Sequence, residues 1–412
     1  MKILEGIVVK YKLKCTACNK EYSPENIEYT CPGCQGILRV DYDYEKLKST
    51  LTKDVFAENP IKGHGRYIDL LPLEKHTSLP PLDIGPTPLD DVKRLRQHLS
   101  LNNLFIKNDT TLPTGSFKDR ASSVLVAKAI ELGKKIITTA STGNAATALA
   151  GMCASVGLKN KIFVPQTAPK AKLAQIAMFG GDLIPIKGTY DQAVSLCREA
   201  TEKFGWYNRN TGYNPYTIEG KKTAALEIWE QLGYQIPDKL FIPTGDGVIL
   251  SGTYKGFYDL KQIGLIDKIP AIIPVQAQGS AAIVRALLED SEQVSPLNDV
   301  QTVADSIAVG APACGDFALQ IVRSTKGFGV MVSDDEIVAA IKELATFTGI
   351  FAEPAAATAY AGLKKAKQEG LVAKEESIVV LITGTGLKDV PTAMKAVSIP
   401  DAIEPNLQYI ST

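Results

Sequence analysis

Four short segments gather residue types that do chemistry rather than pack. The first is Pro113-Thr114-Gly115-Ser116-Phe117-Lys118-Asp119-Arg120. A lysine at a helix start is poorly placed against the helix dipole, which favours anions there. The ordinary reading is a solvated surface lysine; the sharper one is an amine held in a pocket to attack a carbonyl. The second segment, Ser141-Thr142-Gly143-Asn144-Ala145-Ala146, offers hydroxyls and an amide that can cap a helix or donate to a ligand oxygen. The third is Pro243-Thr244-Gly245-Asp246-Gly247-Val248-Ile249-Leu250-Ser251-Gly252, a glycine-rich turn whose N–H groups can close around a phosphate. It has neither a Walker pattern nor GxGxxG, which disfavours nucleoside triphosphates and dinucleotides. The fourth, Ile382-Thr383-Gly384-Thr385-Gly386-Leu387-Lys388-Asp389, is an ordinary strand-ending turn or one that offers the Thr383 hydroxyl to a ring nitrogen.

An amine, a partner for an aromatic oxygen, a phosphate cup and a partner for a ring nitrogen are the needs of one small cofactor, pyridoxal 5'-phosphate. A fifth constellation is separate from these. Cys15-x2-Cys18-x12-Cys31-x2-Cys34 has zinc-ribbon spacing and predicts a closed, structural, tetrahedral zinc site. The remaining cysteines, Cys153, Cys197 and Cys314, lie far apart. An odd count with this clustering reads as reduced thiols plus a metal knuckle rather than a disulfide framework, which points to the cytoplasm. His64, His76 and His98 read as surface or structural residues, with no His–Ser–Asp arrangement among them.

The elements that must hold these segments follow from texture. Short apolar runs at 135–140, 161–165, 182–186, 239–243, 271–277 and 377–384 read as buried strands. Amphipathic helices are expected between them at 119–133, 145–157 and 189–205, closed by Gly133, Gly157 and Gly205. This alternation predicts an α/β protein with parallel sheets. Residues 41–115 are irregular and Pro-rich and read as a connecting segment. The expected division is a zinc ribbon over 1–40, a larger lobe from 41–124 plus 236–412, and a smaller lobe over 125–235. The 412 residues suffice for this, and 45 Lys plus Arg against 45 Asp plus Glu gives no electrostatic case for nucleic acid or an anionic membrane. No apolar run approaches the roughly 18 residues of a membrane span, and the N-terminus lacks signal-peptide features.

The order and spacing of RYIDLLP, TPL, PTGSFKDR, ASTGN, NP-x3-EGKKT, the glycine-rich turn and TG-x-GLKD, behind the cysteine pairs, resemble the threonine synthases. These belong to the fold type II (β-type) pyridoxal-phosphate enzymes, and the resemblance runs over nearly the whole chain. It implies that Lys118 forms the Schiff base and serves as general base and acid, and that Asn144 bonds the cofactor's phenolic oxygen. It implies that Gly245, Asp246, Gly247, Val248 and Ile249 hold the phosphate, and that Thr383 faces the pyridine nitrogen. Ser141, Thr142, Asn210 and Thr211 are the candidate substrate-binding residues. The substrate is expected to be a small amino acid, O-phosphohomoserine, and the chain a homodimer.

Three departures bear on the substrate. Threonine synthases carry an arginine where Thr217 stands, implied to grip the substrate phosphate as a planar bidentate cation. TGHGLKD reads Thr383-Gly384-Thr385-Gly386 here, and GNAGN reads Gly245-Asp246-Gly247-Val248-Ile249, where Asp246 is expected to turn away from the phosphate. Losing a charge-assisted partner costs on the order of 1.5 to 3 kcal/mol. Lys170, Lys172 and Arg209 are the candidate replacements. These departures keep open a threonine or serine ammonia-lyase, or a β-replacement enzyme. A reading of another class is a zinc-ribbon binding module on a silent enzyme scaffold.

Overall fold

The computed structural model describes residues 11–25, 29–74, 78–166, 168, 170–406 and 409–410, with the backbone alone at 170–172 and 191. The expected ribbon forms a three-stranded antiparallel sheet in which Tyr11–Cys15 lies between Glu21–Tyr22 and Leu38–Tyr42. Its apolar face, Leu13, Leu38 and Val40, is fully buried against the rest of the chain.

Two further sheets carry the α/β body. The smaller is all parallel, in the order Asp182–Ile186, Lys159–Pro165, Ile136–Ala140, Tyr207–Asn208. The larger runs Val330–Val332, Ala271–Ala277, Lys239–Pro243, Ser377–Ile382, Asn103–Asn108, Leu89–Asp91, and only the last strand is antiparallel. Helices cover both faces of these sheets, so their strands read as unbroken apolar runs. One cluster holds Leu240, Ile242, Val379 and Leu381 with Trp229 and Phe257. On the opposite face Phe241, Val380 and Ile106 meet Leu344, Tyr360 and Leu363.

All six expected strands form, within two residues of their expected bounds. The helices form at Lys118–Glu131, Asn144–Val156 and Tyr190–Phe204. The last starts in a capping box of Thr189 and Gln192. Residues 41–115 are more than a connection. They supply helices Tyr44–Thr50 and Lys53–Glu58 and the strand Asn103–Asn108, which pairs along its whole length with Ser377–Ile382. The run NLFIKN hides as a strand because only its middle is apolar and asparagines stand at both ends. The 124/125 lobe boundary falls inside the helix Lys118–Glu131, which packs on Asn144–Val156 on one side and on Tyr216–Lys221 on the other.

Candidate active site

In each α/β sheet the strand order reverses direction at one place, and crevices form beyond the carboxyl ends of strands there. In the smaller sheet the reversal lies between Ile136–Ala140 and Tyr207–Asn208; the chain leaving them carries Ser141–Asn144 and Arg209–Thr211. In the larger sheet it lies between Lys239–Pro243 and Ser377–Ile382, whose exits are Thr244–Gly247 and Thr383–Lys388. The topology alone therefore sends three of the four chemical segments to the two crevices.

The fourth, around Lys118, is tied to them by backbone. Phe117 N–H donates to the Thr383 carbonyl at 2.8 Å, Ser116 bridges Gly384, and Thr385 N–H donates to the Gly115 carbonyl at 3.0 Å. A buried ionic network fixes the helix behind it. Arg120 pairs with Asp109 and with Glu227, both at 2.6 Å, and Glu227 also takes Lys107 at 2.6 Å. His64, fully enclosed, meets Ser123 on the same helix at 3.0 Å, and burial pulls its pKa down to about 3. That bears out a structural histidine. His98 stacks on Phe347, and His76 lies outside the described residues.

A cleft of about 630 Å³ opens at this junction, lined by Thr114, Gly115, Asn144, Glu353, Thr385 and Lys388 among others. A smaller cavity of about 40 Å³ lies beside it, sharing Ser306 and lined by Lys118 with Gly245, Asp246, Gly247 and Ile249. Lys118 is half-buried there. Burial depresses its pKa below the ordinary lysine value; Asp246 and Glu353 pull it back, and Arg209 pushes it further down.

The glycine-rich turn is shaped as a cup. Gly247 sits at φ 82°, a backbone state that side chains rarely adopt, and a Cβ there would meet the Cys314 carbonyl at 2.9 Å. The helix Val248–Gln262 begins at its rim. Asp246 does not turn away from this rim as expected. Its Oδ1 accepts from the Val248 N–H at 3.0 Å, capping the helix whose N-terminus the cup uses.

Asn144 opens its helix at the cleft, where its Nδ2 donates to both Glu353 oxygens at 2.9 and 3.0 Å. Thr383 is buried, and Thr385 lays its methyl where a Gly115 side chain would stand. Ser141 accepts from the Gly143 N–H at 3.2 Å, and Thr142 is half-buried beside it. Asn210 is turned inward. Its Oδ1 accepts from Thr139 Oγ1 and from the Ala140 N–H, both at 2.9 Å, so that face serves the strand. Thr211 accepts from Arg209 Nη1 at 2.5 Å. Thr217 is fully buried, with its hydroxyl on the Asn214 carbonyl at 2.8 Å. The side chains of Lys170 and Lys172 lie outside the described residues.

Two functional candidates were not singled out from sequence. Glu353 precedes a helix with Pro354 at its first position, a place where Ser, Thr, Asp or Asn is the usual cap. It makes no cap bond, and the bare backbone of Gly384 leaves room for its carboxylate at the cleft. An uncapping acid before an Ala-rich helix was the available signal. The other, Lys221, stands inside the quoted EGKKT run and is fully buried.

The site fits the cofactor its segments implied. A depressed lysine amine and a helix-backed glycine cup line the small cavity, the cleft beside it has the Asn144 amide in its wall, and the buried Thr383 is tied through its carbonyl to Phe117, next to Lys118. The cysteines fit a metal equally well. Their four sulfurs lie within 4.8 Å of one another, Cys15 to Cys34 at 3.5 Å and Cys18 to Cys31 at 3.7 Å. Sulfurs about 2.3 Å from a tetrahedral zinc stand roughly 3.8 Å apart.

Fold and crevice together define a fold type II pyridoxal-phosphate enzyme. The family model for pyridoxal-phosphate dependent enzymes matches residues 81–384. Similar solved structures include threonine deaminase isoform 2 of Solanum lycopersicum, at TM-score 0.65 and 28% identity over 75% of this chain and 86% of that one. Maize serine racemase has the same TM-score at 24% identity, over 75% and 91%. Threonine synthases of Methanocaldococcus jannaschii and Methanosarcina acetivorans are 37% and 36% identical, over 96% and 97% of this chain and 98% of each of theirs. The chain belongs to the threonine synthase family of pyridoxal-phosphate-dependent enzymes.

Proposed function

We propose that this enzyme converts O-phosphohomoserine and water to threonine and phosphate. The observation that carries the reading is the meeting of Lys118 with Gly245, Asp246, Gly247 and Ile249 of the glycine-rich cup in one cavity, in a chain 37% identical to a threonine synthase over 96% of its length.

Bound pyridoxal phosphate supplies a conjugated carbonyl that stabilises negative charge on the substrate's Cα. Lys118 would hold the cofactor's carbonyl through its amine, and burial, which depresses that amine's pKa below the ordinary lysine value, favours its neutral, nucleophilic form. As a free amine Lys118 would remove the substrate's Cα proton and carry protons at Cβ and Cγ as phosphate leaves and water adds. The cup's N–H groups and helix N-terminus would hold the cofactor phosphate, and Thr383 would offer the ring nitrogen a neutral hydroxyl, which does not force a proton onto it. Asn144 orients the ring from the cleft wall, with Glu353 fixing its amide. Ser141 and Thr142, at the N-terminus of the Asn144 helix, receive the substrate carboxylate. Asn210 steadies the strand below, and Thr211 steers Arg209.

The cysteine cluster is read as a structural zinc site, the helix Lys118–Glu131 as shared between two lobes, and the enzyme as a cytoplasmic homodimer like its family. The described residues contain seven free cysteines and no helix long and apolar enough to cross a membrane. Borohydride reduction of the loaded enzyme followed by peptide mass mapping tests the central residue. The tag belongs on Lys118, and a tag elsewhere overturns the assignment.

A further inference from the structure

Six lysine and arginine side chains are fully enclosed among the described residues: Lys107, Arg120, Arg209, Lys221, Lys222 and Lys255. Four of them are ion-paired. Lys107 and Arg120 hold Glu227, Lys222 holds Glu219 and Asp259 at 2.6 and 2.7 Å, and Lys255 holds Asp259. The other two are not. Lys221 Nζ has no hydrogen-bond partner, and Arg209 spends Nη1 on Thr211 and Nε on Ser122 but leaves Nη2 bare. A buried cation without a partner is costly, and one kept in a fold points to a ligand that completes it.

The two belong to one place. Lys221 passes over Gly252, where a Cβ would meet its own at 2.5 Å, beneath the first turns of the helix Val248–Gln262. Arg209 leaves the end of Tyr207–Asn208 and bonds Ser122, one turn along the helix from Lys118. Gly212, three residues on, packs on Val248 and Ala313. Lys118, Arg209 and Lys221 act electrostatically on one another, and Asp246 is the carboxylate common to all three. Asp246 acts on both enclosed basic groups and Asp119 on Arg209 as well, yet neither carboxylate takes a hydrogen bond from Lys221 Nζ or Arg209 Nη2, which are left for an anion to complete.

We propose that Lys221 and Arg209 form the site for the substrate's phosphate group, in place of an arginine at position 217. This rests on the reading in which the Gly245–Ile249 amides hold the cofactor's phosphate. The reaction then needs a second phosphate site close to Lys118, because the amine serves Cα, Cβ and Cγ and the phosphate leaves from Cγ. Lys221 lies four residues beyond Thr217, one turn along, so the cation has moved by a turn rather than vanished.

The test uses holoenzyme carrying Lys221→Met, with Arg209→Lys as a second variant. Four quantities are compared with wild type: inorganic phosphate affinity by ³¹P NMR, KM for O-phosphohomoserine, cofactor affinity by absorbance, and thermal midpoint. Lys221→Met is expected to weaken both phosphate binding and KM roughly ten- to hundredfold. Cofactor affinity should hold within about twofold, and the thermal midpoint should hold or rise because an unpaired buried charge is gone. Arg209→Lys keeps a charge but loses the fork and should show a smaller loss of the same kind. Unchanged phosphate affinity and KM would overturn the proposal, as would a loss that falls on cofactor affinity instead. Wild type inert towards O-phosphohomoserine overturns the synthase reading alone. The phosphate titration then decides: binding lost in Lys221→Met upholds the site, and binding unchanged removes it.

Discussion

Lys118 is half-buried and Lys221 fully enclosed, and their surroundings suit them to different work. Lys118 opens into the small cavity beside the cleft, where a depressed pKa yields a nucleophile. Attack on a carbonyl needs the neutral amine, so cofactor loading should accelerate as pH rises through the Lys118 pKa. The midpoint is predicted to lie below the ordinary lysine value of 10.5. Stopped-flow absorbance of apoenzyme loading checks this, and a midpoint at or above the ordinary value would contradict it. Thr217 gives a prediction of the opposite kind. Its side chain is enclosed and bonded to the Asn214 carbonyl, so Thr217→Arg should not restore a phosphate grip. It should destabilise the fold by about 3 kcal/mol or more, read from denaturant titration. The candidate segments were legible in sequence because each lies at a strand end or a helix start, where an α/β fold gathers its loops. Glu353 and Lys221 were not, because their roles depend on what the fold brings near them: two oxygens for Asn144 in one case, nothing at all in the other.

At the scale of elements, the ribbon is more than an appendage. Tyr29 accepts from the Asn208 N–H at 2.9 Å and stacks on Tyr213 at 4.5 Å, bracing the segment that carries Arg209. Tyr11 meets the Tyr216 hydroxyl at 3.0 Å, and Tyr42 donates to Glu219, bracing the helix that carries Lys221. If the cysteines hold the zinc proposed for them, its loss should be felt in the crevice. Chelation, or Cys31→Ser, is predicted to lower the thermal midpoint by several degrees and to weaken inorganic phosphate binding more than cofactor binding. Calorimetry and the ³¹P titration read both, and an unchanged midpoint after verified metal loss would sink the idea. The cysteine cluster and the buried strands were readable because paired Cys-x2-Cys turns and a both-sides-buried sheet show directly in composition. The strands Asn103–Asn108 and Val330–Val332 were not, since one is polar at both ends and the other is three residues at an edge.

Over the whole molecule, a buried ion-pair network that titrates joins the strand Asn103–Asn108 of the larger sheet to the helices Lys118–Glu131 and Thr223–Gln231. Burial works to raise the Glu227 pKa, but Arg120 and Lys107 outweigh it and hold the carboxyl down to about 2. A folded pKa below the unfolded one gives stability that is complete above the ordinary value of 4.5 and lost as pH falls towards 2. The shift corresponds to an order of magnitude of roughly 3 kcal/mol. Glu227→Gln should flatten the acid limb of the stability curve while lowering stability at neutral pH, as urea titrations across pH would show. The fold class and the crevice follow from strand order, and strand order followed from the alternation of runs and helices. The choice between a phosphorylated and an unphosphorylated amino acid did not, because it turns on Arg209 and Lys221, whose bare donors appear only once the chain is folded. The most direct measurement gives the cofactor-loaded enzyme O-phosphohomoserine, and separately threonine and serine, with products followed by ¹H and ³¹P NMR. Threonine and phosphate in equal amounts from phosphohomoserine are predicted; keto acids from threonine or serine, with phosphohomoserine untouched, would contradict the account.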